Sequence, residues 1–185
     1  MKVALRNIEV GDSTRIHAWR TSREVAQWMV NDGPIPWEDH ERWFEGALID
    51  GPTRVRIVSC GGVDCGLLSW TDESDAIFSF GIYVVPSLSP ARRVGTAALF
   101  LLLRQLFEEA NAQEVRAEVL VDNSRAVKVY EALGFSRVIG SERQVSRLNG
   151  MSEVVEMKSN SKVWRANASA VEEQLIERGL VDDSQ

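Results

Sequence analysis

The segment from Ala76 to Ala110, AIFSFGIYVVPSLSPARRVGTAALFLLLRQLFEEA, constrains the fold more narrowly than any other part of the chain. It opens as a strand, AIFSFGIYVV, which Pro86 and Pro90 bring to an end because proline does not suit the middle of a sheet. Residues Gly95 to Ala110 then read as a helix apolar on most sides, and such a helix has to be buried against a sheet. The following run, EVRAEVLV, is again strand-like, so a strand–helix–strand unit sits at the centre of the chain.

The flanking segments alternate in a consistent way. KVALRNIE, residues 2 to 9, reads as a first strand, and a helix capped by Asp12 or Ser13 is predicted through RIHAWRTSREVAQWM. NDGPIP breaks it, and a second helix begins near Trp37, with Glu38 and Asp39 suited to its first turn. RVRIVSC and DCGLLSWT form two strands across a glycine turn. After EVRAEVLV, Asn123 or Ser124 starts the helix RAVKVYEAL, which Gly134 terminates. FSRVIGSERQVSRL and MSEVVEMKS flank Asn149-Gly150, a hairpin signal. A polar joint, SNSK, leads to a last helix, VWRANASAVEEQLIERGL, in which Val171, Leu175 and Leu180 either cover the sheet or make a homodimer contact. The order predicts a mixed α/β fold around one sheet, with a domain over residues 1–158 and a helical extension over 159–185. RRVGTA is not the GxGxxG fingerprint of a doubly wound dinucleotide fold.

Composition excludes several function classes. A net charge of −6 argues against a general nucleic-acid binder. Ala97 to Leu103, the most apolar run, is too short to span a bilayer, and the first ten residues lack the pattern of a signal peptide, so a cytoplasmic protein is expected. Cys60 and Cys65 read as reduced thiols beside a hairpin turn, with no histidine nearby to complete a metal site.

Two motifs carry chemistry. Arg92-Arg93-Val94-Gly95-Thr96-Ala97 opens the buried helix, where unpaired N–H groups and a partial positive charge favour an anion by about 0.3–1 kcal/mol. Arg92 and Arg93 add forks for phosphate oxygens. The second motif, NSRAVKVYEALGF from Asn123 to Phe135, places Tyr130 about two turns into a capped helix, its phenol protonated near neutrality. A strand ending in GIYVVP, then R–x–x–G–x–A, another strand and this second motif resemble the GNAT superfamily of acetyl-CoA-dependent N-acetyltransferases over residues 2 to about 158. The resemblance implies that backbone N–H groups from Arg93 to Ala97 cradle the pyrophosphate of acetyl-CoA. It implies that pantetheine pairs with Ile82, Tyr83 and Val84 beside a splayed strand, and that an N–H near Val84 polarises the thioester. It also implies that Asn123 contacts the cofactor and that Tyr130 protonates the departing thiolate.

AWRTSREVAQWMVNDGPIPWEDHERWF further resembles bacterial nucleotide-sugar N-acetyltransferases of pseudaminic acid biosynthesis. That likeness implies a small-molecule acceptor, the 4-amine of UDP-4-amino-4,6-dideoxy-N-acetyl-β-L-altrosamine. Trp37 and Trp43 could then meet the base and Arg20 or Arg42 the diphosphate, although tryptophans at this spacing also suit a core. Ser79 stands where many GNAT enzymes carry glutamate and could hold the amine or a relay water, and His40 is the better placed of two histidines for a base. A ribosomal-protein or aminoglycoside acetyltransferase, or an acetyl-CoA sensor without activity, stays open.

Overall fold

The computed structural model describes residues 1–49 and 52–182, so the last three residues of the expected extension lie outside it. Strand β1 (Val3–Asn7) leads through a 3-10 turn (Val10–Asp12) into helices α1 (Ser13–Thr21), α2 (Arg23–Ala26) and α3 (Trp37–Leu48). Strands β2 (Thr53–Cys60), β3 (Val63–Ser74) and β4 (Ile77–Val84) follow. Helix α4 (Val94–Arg104) continues through a π-helical turn (Gln105–Glu109) into β5 (Glu114–Leu120). Helix α5 (Ser124–Ala132), strands β6 (Ser136–Arg137), β7 (Arg143–Arg147) and β8 (Gly150–Asn160), and helix α6 (Ser161–Glu177) complete the chain. One sheet runs in the order β1-β2-β3-β4-β5-β8-β6, with β7 paired to β8. All pairings are antiparallel except β4 with β5.

The mixed α/β sheet expected from the sequence is present, and so is the burial of α4. Seven of its side chains from Val94 to Leu102, among them Ala97, Leu99 and Phe100, are buried. Helices α4, α5 and α6 share one face and a core that includes Leu68, Phe80, Tyr130 and Trp164. A smaller core on the other face joins Ile16, Trp19, Val25 and Phe44 to Val55, Ile57 and Leu67. Val171, Leu175 and Leu180 pack into the first of these cores, so α6 covers the subunit's own interior. Cys60 and Cys65 flank the turn at Gly61-Gly62 as buried free thiols, and burial pushes the Cys65 thiol up to about 11. Among the described residues no helix is long and apolar enough to cross a membrane.

Three local expectations are corrected. The helix predicted through RIHAWRTSREVAQWM breaks at Ser22, whose backbone is extended and whose hydroxyl donates to the Trp19 carbonyl at 2.7 Å. The strand predicted through FSRVIGSERQVSRL divides into β6 and β7 about Gly140, which adopts a φ of 79°. The β7–β8 turn is centred on Leu148-Asn149, because Arg147 pairs with Gly150 at the first position of β8.

Candidate active site

The site begins where two strands part. Parallel pairing of β4 with β5 covers only Ile77, Phe78 and Ser79 against Glu114, Val115 and Arg116. On its other side β4 stays paired with β3 as far as Val84 opposite Gly66. A Cβ at Gly66 would stand 2.4 Å from the Tyr83 carbonyl oxygen, so only glycine lets β3 hold β4 this closely there. From Phe80 to Val84, β4 therefore presents to the β5 side a backbone edge that no strand occupies, and a cleft opens at its carboxyl end.

A groove of about 1270 Å³ runs from this edge along the start of α4. It is lined by Ile82, Tyr83, Val84, every residue from Arg92 to Thr96, and Asn123 and Tyr130. Arg93 caps α4 in the left-handed conformation (φ 65°), and no side chain caps the helix. The first helical bond runs from the Ala97 N–H to the Arg93 carbonyl at 3.0 Å. The N–H groups of Val94, Gly95 and Thr96 therefore precede the helical ladder and are available to an anion in the groove. Ala97 is fully buried and stands behind these groups, away from the groove lining. Among the described residues, lining cations Arg92, Arg93, Arg125, Lys128 and Arg178 outnumber the one lining carboxylate, Glu24. Glu24 is itself engaged, accepting from the Ser87 hydroxyl at 2.6 Å and the Ser87 N–H at 3.1 Å.

Asn123 caps α5, its side-chain oxygen accepting from the Ala126 N–H at 3.1 Å, while its residue still lines the groove. Tyr130 is buried against Phe80 and Phe135, with ring centroids 5.4 and 5.8 Å away. Burial raises its pKa, which keeps the phenol a proton donor.

A second cavity, of about 320 Å³, lies across β4 and shares Met29, Ile82 and Tyr83 with the groove. Arg20 from α1, Asp39, His40 and Trp43 from α3, and Ser69 and Gly81 from the sheet line it. His40 is buried, and its Nε2–H donates to the Ser13 carbonyl at 2.9 Å. Burial, assisted by neighbouring His17, lowers the His40 pKa below 6.5 against the opposing effect of that bond. The ring is thus neutral at physiological pH, with its lone pair on Nδ1. Trp37 is not part of the lining; it stands on α3 against His17 and His40, at centroid distances of 5.2 and 5.4 Å. Ser79 is not brought to either cavity. Its hydroxyl donates to Glu73 at 2.5 Å, near the start of β4, while Gly81 takes the lining position two residues on.

Several lining residues escaped the sequence reading. Arg125 and Lys128 carried a usable signal, lying one helical turn apart within the Asn123–Phe135 motif. Arg178 and the Tyr83 side chain carried none, since only the tertiary fold brings them to the site.

Acetyltransferase (GNAT) domains match this chain over residues 2–136. An uncharacterised protein of Methanocaldococcus jannaschii is 24% identical over 143 residues, 74% of this chain but 28% of that protein, so the chain spans little more than a quarter of this relative. Acetyltransferase PseH of Campylobacter jejuni is 24% identical over 121 residues, 65% of this chain and 74% of that one. Spermidine N-acetyltransferase from Vibrio cholerae, solved with CoA and spermine, superposes with a TM-score of 0.78 at 19% identity, covering 89% of this chain and 98% of that one. A splayed β4, an uncapped helix start facing a cationic groove and a match over most of the sequence lead to one assignment: the chain belongs to the GNAT family of acetyl-CoA-dependent N-acetyltransferases.

Proposed function

We propose that this protein transfers an acetyl group from acetyl-CoA to a primary amine of a small-molecule acceptor by direct attack. The observation that carries the reading is the meeting of two cavities at the splayed end of β4, one lined by cations and free helix N–H groups, the other largely apolar. In this reading the N–H groups of Val94, Gly95 and Thr96 hold the pyrophosphate, and Arg92 and Arg93 neutralise its charge. The open edge of β4 from Ile82 to Val84 holds the pantetheine arm, and an N–H near Val84 donates to the thioester oxygen as negative charge develops there. The cavity wall brings a neutral amine to the carbonyl carbon, and this orientation supplies most of the rate. As the C–N bond forms and the C–S bond breaks, Tyr130 gives its proton to the leaving sulfur, and His40 at Nδ1 is the candidate to take one from the amine.

For the acceptor, the reading is the 4-amine of a UDP-linked 4-amino-4,6-dideoxy sugar. The relationship to PseH supports it, as does the gathering of Arg20, His40 and Trp43 on one cavity beside the cofactor groove. A thiol-release assay with acetyl-CoA tests it. UDP-4-amino-4,6-dideoxy-N-acetyl-β-L-altrosamine is expected to release CoA faster than a basic N-terminal peptide or an aminoglycoside. Release with the peptide or the aminoglycoside alone overturns the acceptor; tight CoA binding with no release from any amine favours a sensor.

A further inference from the structure

The acceptor cavity contains two polar groups that the chain leaves without partners. Arg20 Nη1 and the Tyr83 hydroxyl are both buried and make no hydrogen bond among the described residues, and both side chains line this cavity. Buried polar atoms in folded proteins are paired with few exceptions, so two orphans on one cavity mark where a ligand completes the bonding. Both act as donors. A guanidinium has no acceptor atom, and burial holds the Tyr83 phenol above its ordinary pKa, so it keeps its proton.

The cavity is also short of negative charge. Arg20 donates through Nη2 to the Asn31 carbonyl at 2.5 Å, a neutral group, and it forms no ion pair among the described residues. Nearby Asp32 is occupied by Arg147 at 3.3 Å and by the Leu148 N–H at 3.0 Å. Asp39, the one carboxylate in the lining among the described residues, is exposed and paired with Arg42 at 3.0 Å. What remains is a half-buried cation and a phenol in a wall otherwise made largely of Ile16, Met29, Ile35 and Leu67.

Resting on the acetyl-transfer reading above, we propose that Arg20 and Tyr83 form a two-donor subsite for an anionic oxygen group of the acceptor, phosphate or carboxylate. The subsite selects acidic amines and rejects polyamines. A polyamine would bring further positive charge beside Arg20 and leave both donors unpaired, whereas an anionic oxygen satisfies both at once.

Calorimetry on the protein preloaded with CoA, so that the phosphate groove is already filled, tests the subsite with pyrophosphate, succinate and spermidine. One of the two anions is expected to bind at least tenfold more tightly than spermidine, and the one that does identifies the source of the charge. Arg20→Gln and Tyr83→Phe should each weaken that anion about tenfold, with Arg20→Lys recovering part of the loss. An unchanged far-UV circular dichroism spectrum and thermal midpoint across the variants show that they fold. Binding of neither anion, preference for spermidine, or anion affinity unchanged in both Arg20→Gln and Tyr83→Phe overturns the subsite. Failure of the acetyl-transfer reading shows separately, as absence of CoA uptake during loading; the Arg20→Gln difference on the bare protein then still reads the subsite.

Discussion

Tyr130 takes its position from local sequence and its environment from the fold. Its position follows from a local pattern, an asparagine cap followed at fixed spacing by tyrosine, glycine and phenylalanine, so the sequence alone places it on a helix face. The fold adds the environment: a buried ring between Phe80 and Phe135 whose raised pKa fixes the protonation state. In the proposed reaction a general acid has to be protonated before the thiolate leaves, and burial favours the protonated form of this phenol. Tyr130→Phe keeps the packing and removes the proton, so turnover should fall about 100-fold while CoA affinity moves less than about twofold. Stopped thiol release and calorimetry on the same preparation check both numbers; equal losses in each would make Tyr130 a packing residue. The Tyr83 side chain was not legible in the same way. In a strand, alternate residues face opposite sides, and the chain gives no sign of which side carries a cavity until α1 and α3 cover it.

At the scale of elements, the sheet and its helices were readable because apolar periodicity directly reflects burial. The breaks at Ser22 and Gly140 were not, since they answer to neighbours distant in sequence. Asp12 is a further case. Its carboxylate is almost fully buried and accepts from Arg6 at 2.8 Å, from Arg15, and from the Glu9 N–H at 2.9 Å. Arg6 also reaches Asp64 at 2.6 Å, so one carboxylate pair fastens β1, the first turn, α1 and the β2–β3 hairpin end. The sequence suggested only a helix cap here. Arg6 above all holds the Asp12 pKa well below 3.8, against the opposing cost of burial. The folded state then binds fewer protons than the unfolded one, so this stabilisation is complete above the ordinary carboxylate pKa. It declines as pH falls through that value toward the lower folded one. Asp12→Asn should cost about 1–3 kcal/mol at neutral pH. It should also flatten the decline in urea stability between about pH 5 and pH 3. An Asn variant with the wild-type pH slope would assign that slope to other carboxylates.

At the scale of the whole molecule, the C-terminal helix ceases to be an appendage. The family match ends at residue 136, yet α6 is built into the core. Trp164 stacks on Phe107 at 5.7 Å and donates to Glu108 at 3.1 Å, and Glu172 pairs with Arg104 at 3.1 Å. Gln174 meets Arg93, the cap of α4, at 3.5 Å. After Gly179 turns the chain (φ 65°), the Leu180 carbonyl accepts from the Val3 N–H at 2.8 Å. These contacts fix Arg178 in the lining of the cationic groove with Arg92, Arg93, Arg125 and Lys128. Removing the whole helix would strip Trp164 and Leu175 from the core and unfold the protein, so a single side chain is the better probe. An exposed ion pair contributes about 0.2–1 kcal/mol, so Arg178→Ala should weaken CoA about threefold at low ionic strength. Raised salt should shrink that difference, because it screens charges at the surface. An acetylated pantetheine fragment without phosphates carries no charge for Arg178 to meet and should react equally well with both proteins. If the fragment loses as much as acetyl-CoA, Arg178 acts through the packing of α6, and the cations of the groove reduce to those of the α4 and α5 turns.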